Sequence, residues 1–169
     1  MREFHQTQGL GSTGVPDMTT ILTLDLGTHT GWALSHDGHI HSGVEHFTPR
    51  RFEGGGMRFV HFVRWLNDLW PKDYHTAMVC FEEVRNHAGV DAAHVYGGFL
   101  GHLSAWCERQ NIPYQGVPVG TIKKFAAGKG NASKAEMIAA VTARGFAPAD
   151  DNEADALAIL LWAMGTGEI

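Results

Sequence analysis

Residues 19–34, TTILTLDLGTHTGWAL, run through β-branched and leucine side chains and meet one aspartate, Asp25. Such a run reads as a buried strand. An ionised carboxylate at the end of a buried strand is costly unless positive charge faces it. The fold must therefore bring compensating charge to Asp25. Two further carboxylates stand in similar surroundings: Glu82 ends the apolar run AMVCFEEV (77–84), and Asp155 lies inside NEADALAILLWAM (152–164). Each alone has an ordinary reading as a turn cap, an ion-pair partner or a solvent-facing group. Together, on separate elements and at strand ends where α/β sheets build their sites, they form an oxygen ligand set suited to Mg²⁺ or Mn²⁺. The missing charge is expected to be a divalent metal.

The surrounding pattern predicts an α/β domain. GTHTG (27–31) reads as a glycine-bounded turn after the first strand, and Asp37-Gly38 as a hairpin turn between WALS and HIHSGVEHF. Three strands should thus form an antiparallel meander. Residues 57–69 show helical spacing, 77–84 a strand, 90–110 a helix, 112–117 a short strand and 119–127 a turn into a short helix. Ser133 and Glu136 form a capping-box pattern opening a helix that Gly145 should stop, and 152–164 is a final apolar helix. The order βββ-α-β-α-β-α-α predicts a mixed sheet with helices on both faces. Gly97, Gly98 and Gly101 weaken the helix 90–110; close backbone approach, either inside the protomer or across a dimer interface, would account for them.

Charge narrows the function classes. The 169 residues carry a net charge of −5, which disfavours indiscriminate coating of nucleic acid. Yet KKFAAGKGNASK (123–134) holds Lys123, Lys124, Lys129 and Lys134 without one acid, as expected of an enzyme meeting a polyanion locally; a solvated basic loop is the plainer reading. Cys80 and Cys107 lack metal-ligand spacing and read as buried thiols in a reducing cytoplasm. No apolar run is long enough for a membrane helix. His29 is near enough to Asp25 to meet substrate, whereas His36, His39 and His41 read as solvent-facing around a hairpin.

The segments LTLDLGTHTGWAL, VCFEEV, VPVGTIKKFAAGKGNASKAEM and DNEADALAILLWA resemble, in order and spacing, the RuvC family of Holliday-junction resolvases. The NEADAL form is most similar to bacteriophage-encoded members. The resemblance implies a ribonuclease H-like fold: a mixed five-stranded sheet, three strands antiparallel and then parallel ones, with helices on both faces. The polar, glycine-rich residues 1–18 read as a flexible leader, and the resemblance implies 19–169 as the nuclease domain. Asp25, Glu82 and Asp155 match family metal ligands, and Lys123 and Lys134 match lysines near the scissile phosphate. A fourth ligand falls at Asn152 or at Asp151, one helical turn from Asp155. The implied chemistry is hydrolysis of DNA phosphodiesters with two Mg²⁺ ions per active site, Mn²⁺ substituting, giving 5′-phosphate and 3′-hydroxyl nicks. The implied partners are a four-way DNA junction and a second copy of the chain through helix 90–110.

Family members often carry a junction-wedging aromatic just after the glutamate, where this chain reads EEVRNHAGV, so Arg85 or His87 is expected to contact DNA instead, beside Lys124 and Lys129. Three other readings compete. LDLGTHTG also resembles the phosphate-binding turn of the actin and sugar-kinase group, but those proteins need two such domains. Another ribonuclease H-like nuclease, cutting flaps or RNA–DNA hybrids, would share the carboxylates. A branched-DNA-binding module with weakened catalysis would fit an asparagine at position 152.

Overall fold

The computed structural model describes residues 19–85 and 89–166; residues 1–18, expected to be a leader, and His87 lie outside them. Strands β1 (Thr19–Asp25), β2 (His29–His36) and β3 (His39–His46) are followed by helix α1 (Met57–Leu69), strand β4 (Thr76–Glu83), helix α2 (Val90–Gln110) and strand β5 (Tyr114–Pro118). Helices α3 (Val119–Ala127), α4 (Lys134–Thr142) and α5 (Asp151–Thr166) complete the chain. The sheet runs β3-β2-β1-β4-β5. β1–β2 and β2–β3 pair antiparallel, β1–β4 and β4–β5 parallel, giving the expected mixed five-stranded sheet. Asp37 and Gly38 both take positive φ, 49° and 75°, which lets the two-residue hairpin follow the strand twist.

Alternation along the strands divides the core. Leu22, Leu24, Val79 and Phe81 face α1 and α2, meeting Phe62 and Phe99 in an aromatic layer. Ile21, Cys80 and Val117 face the other way, toward α3, α4 and α5. Helix α5 touches β1, β2 and β4 on one side and α3 and α4 on the other, which explains why it is apolar nearly all round. Cys80 and Cys107 are buried free thiols. Ser133 and Glu136 form the capping box, the Ser133 N–H donating to Glu136 Oε2 at 2.8 Å. Helix α4 ends at Thr142, three residues short of Gly145, which turns the chain at φ 93°.

Two expectations require correction. His36 is half-buried rather than solvent-facing: its Nδ1 lies 2.9 Å from the Thr20 hydroxyl and its Nε2 3.3 Å from Asp73. The GTHTG stretch is only partly a turn. Thr30 Oγ1 donates to the Gly27 carbonyl at 2.6 Å and closes it early, so Gly31 is a buried residue of β2, paired with Asp25. A Cβ on Gly31 would stand 1.9 Å from the carbonyl oxygen of Asn152, in the first turn of α5. Glycine is needed here for close approach, in a strand interior where it otherwise costs stability.

The Gly31→Ala variant should lose about 2–4 kcal/mol by urea denaturation, because backbone and not a flexible side chain must yield. Gly97→Ala, where a Cβ meets open space, should leave the protomer unchanged or stabilise it by up to ~1 kcal/mol. Equal effects of the two substitutions would refute the close-approach account of Gly31.

Candidate active site

The register of β1 against β4, Thr23 with Cys80 and Leu24 with Phe81, sets Asp25 beside Glu82 at the next step. Directly opposed residues share a face, and this face is the one covered by α5. Thr23, two residues before Asp25, donates its hydroxyl to the Ala156 carbonyl at 2.7 Å. That bond and the Gly31 contact fix α5 on the sheet at Asn152 and at Ala156. Asp155 lies between those fixed points, with Asp151 one turn earlier on the same side of the helix.

These carboxylates lie near enough to perturb one another. Burial pushes the Asp25 carboxyl well above the usual range, with further upward pressure from Glu82 and Asp155, a hydrogen bond to Glu82, and Asp151. Glu82 is raised by burial and partly relieved by Lys123. Asp155 is pushed up to about 6, chiefly by burial and then by Glu82, with Lys123 and Lys134 opposing. Lys134, at the start of α4, donates to Asp151 Oδ2, which lowers the Asp151 carboxyl and raises the lysine. Lys123 on α3 and Lys134 on α4 are the cations whose influence reaches the cluster among the described residues. They leave a surplus of negative charge. An all-oxygen cluster with surplus negative charge and few covering donors fits Mg²⁺ or Mn²⁺.

The remaining candidates divide. Asn152 donates its side-chain amide to Asp150 at 3.3 Å while its carbonyl lies against Gly31; Asp151 is the neighbour whose charge is felt at Asp25 and Asp155. Lys129 is drawn to Glu136 of the capping box at 2.6 Å, whereas Lys124 is exposed. Arg85 is exposed and pairs with Glu83 at 3.3 Å. His29 is exposed at the start of β2 and meets the His46 ring edge-on at 4.6 Å.

Three positioning residues escaped the sequence reading. Gly31 carried a signal, a glycine followed by strand residues. Thr23 carried only its polarity within an apolar run. Tyr96, whose hydroxyl donates to the Glu82 carbonyl at 2.8 Å, carried none, because the contact joins α2 to the end of β4 across the fold.

The raised carboxyls link stability to pH. An acid whose folded pKa exceeds its unfolded value stabilises the fold while protonated; that contribution fades as pH rises from the ordinary 3.8 of an aspartate to the folded value, about 6 for Asp155. Without metal, the wild type should therefore lose melting temperature relative to Asp25→Asn as pH rises from 4 to 7.5, Asp25→Asn ending roughly 3–6 °C higher. Mg²⁺ or Mn²⁺ should raise the wild-type melting temperature at pH 7.5, and not that of Asp25→Asn. A metal response surviving Asp25→Asn would place the ion elsewhere.

The sequence matches no protein-family model and no curated protein. Solved structures do match. The Thermus thermophilus RuvC in complex with a Holliday junction substrate superposes with a TM-score of 0.66 at 24% identity, covering 87% of this chain and 96% of that one. A further Thermus thermophilus RuvC structure gives 0.59 at 22% identity, covering 87% and 97%. The yeast mitochondrial Holliday junction resolvase Ydc2 gives 0.56 at 13% identity, covering 87% and 78%. Over that 87% of its length, the chain has the mixed α/β, ribonuclease H-like fold of the RuvC resolvases.

Proposed function

We propose that this protein is a structure-specific endonuclease that resolves four-way DNA junctions by metal-dependent phosphodiester hydrolysis. The observation carrying this reading is the convergence of Asp25, Glu82, Asp155 and Asp151 under the first turns of α5, charge-deficient in cations, within a fold shared with junction resolvases. Asp25, Glu82 and Asp155 would hold two Mg²⁺ ions, with Asp151 favoured over Asn152 as the fourth ligand because the Asn152 amide is turned to Asp150. When bound, the ions supply Lewis-acid activation of water and stabilise the leaving oxygen.

The side chains of this protein do the rest. Asp25 and Glu82 are set side by side by adjacent strands, so their backbone needs no rearrangement on binding. Lys134 is exposed and paired with an aspartate, so its ammonium can pass from Asp151 to a phosphate oxygen; Lys123 faces Glu82 and Asp155 from α3 and opposes charge growing on the phosphate. Lys124 extends the basic surface for the DNA backbone. Lys129, tied to Glu136, supports the α3–α4 loop instead. Arg85 can exchange Glu83 for a phosphate.

Two symmetric nicks require two sites, and a symmetric dimer supplies them. We propose α2 as its interface. Gly98 is explained inside the protomer, since its Cβ position lies 2.3 Å from the Phe59 ring, whereas Gly97 and Gly101 face open space one turn apart.

With Mg²⁺, the protein should cut a synthetic four-way junction into paired, ligatable nicks while sparing linear duplex. Asp25→Asn should reduce cutting at least a thousandfold, and Lys134→Ala by roughly 10²–10³-fold. Cutting of a flap or RNA–DNA hybrid in preference to the junction would retain the site and change the substrate; junction binding without cutting in either metal would reduce the protein to a binding module. Sedimentation should separately find a dimer that Gly97→Leu with Gly101→Leu converts to a folded monomer. A dimer indifferent to that pair of substitutions would exclude α2.

A further inference from the structure

Phe52 is the most exposed large apolar side chain among the described residues, at 93%. It sits in the loop between β3 and α1, with Arg50 and Arg51 before it and Gly54–Gly56 after it. The loop leaves the sheet at a defined place. Asp25 pairs with Gly31, and Gly31 with Val44. Strand β3 runs in the direction of β1, so it passes the level of Asp25 at Val44 and ends two residues later. Residues 47–56 therefore emerge from the same end of the sheet as Asp25 and Glu82.

The loop is built to hold its tip. The Arg50 N–H donates to Glu53 Oε2 at 2.9 Å and the Glu53 N–H to the Arg50 carbonyl at 2.9 Å, closing a turn with Arg51 and Phe52 at its apex. Glu53 Oε1 lies 3.3 Å from His61 Nε2, which anchors the turn to α1. Arg58 donates to the Gly55 carbonyl at 3.2 Å and to Thr28 Oγ1, in the turn after β1, at 3.4 Å. The tip is thus tied to the loop that follows Asp25. The Arg51 guanidinium lies 5.5 Å from the centre of the Phe52 ring, leaving the opposite face uncovered.

A single ring with one guanidinium over it and a second arginine adjacent in the loop is not an apolar patch for a protein partner, which would be contiguous. It is the combination that recognises unpaired nucleic acid: an aromatic face for a base and cations for the adjoining phosphates. We propose that Phe52 stacks on a nucleobase exposed at the branch point of the DNA substrate, with Arg50 and Arg51 on the flanking phosphates, so that this loop selects branched over linear DNA. The proposal rests on the branched-DNA reading above and adds to it the residues that detect the branch. Duplex DNA offers no free base face, so Phe52 contributes little there. Arg50 and Arg51 contribute to both.

The test uses the full chain carrying Asp25→Asn, which holds DNA uncut. Its partners are a four-way junction with 2-aminopurine at the branch and a linear duplex of the same sequence. Adding Phe52→Ala should weaken junction binding about 5- to 100-fold, change duplex binding less than twofold, and abolish the 2-aminopurine response. Phe52→Trp should restore both. Arg50→Ala with Arg51→Ala should weaken both DNAs and lower the salt dependence by about two charges. If Phe52→Ala binds junction and duplex as the parent does, with the 2-aminopurine response intact, the stacking role is overturned while junction resolution by the wild type stands. A parent that binds a labelled flap or single strand over the junction overturns the substrate reading; the same Phe52→Ala comparison on that DNA then sustains or overturns the stacking role. A shifted melting temperature or oligomeric state in Phe52→Ala, with DNA binding unchanged, would assign the ring to a protein contact instead.

Discussion

The carboxylate cluster depends on helix α5 lying on the bare backbone of β2. At Gly31 the Asn152 carbonyl occupies the space that a side chain would need, and the Thr23 hydroxyl holds the Ala156 carbonyl one turn further on. Between those contacts the helix cannot rotate or lift, so Asp155 is held over Asp25 and Glu82. Any side chain at position 31 would raise the start of α5 and separate Asp151 and Asp155 from the strand ends. The alanines of α5 fit the same requirement: a helix packed this closely on a sheet leaves room for little more than methyl groups.

That closeness is bought with electrostatic strain. Burial drives Asp25, Glu82 and Asp155 toward the protonated state, repulsion adds to it at Asp25 and Asp155, and Lys123 only partly relieves Glu82 and, with Lys134, Asp155. Hydrophobic layers on both faces of the sheet carry the cost, notably the aromatic packing of Phe47, Phe62, Trp65 and Phe99. A site that destabilises its own fold when empty of cations is expected where function requires charge held ready for a ligand.

The elements were legible because their signals are local. Alternation, the Asp-Gly hairpin and the Ser133–Glu136 capping box each act within a few residues, and the structure has them where the pattern puts them. The carboxylates were also legible, since an acid in an apolar run is conspicuous whatever surrounds it. The lysines were not sortable by sequence. Four lie in one stretch, and Glu136 captures Lys129 while Asp151 takes Lys134, a division decided by how α4 packs beside α5. Neighbouring Asp151 and Asn152 likewise differ only in the folded chain, where the charge of Asp151 acts on Asp25 and Asp155 while the Asn152 amide meets Asp150.

The sequence by itself determined which elements form, which faces they bury and which acids end in apolar surroundings, because those properties follow from short-range periodicity and the cost of burying charge. Only the tertiary structure decided that Gly31 is a strand residue rather than a turn, that Tyr96 holds the end of β4, and that the Phe52 loop shares an end of the sheet with Asp25. Each of those facts is a meeting of segments far apart in the chain. Such meetings depend on strand register and on the distance at which a helix can settle on a sheet, which the residues near one position mark at most faintly, as the glycine at position 31 does.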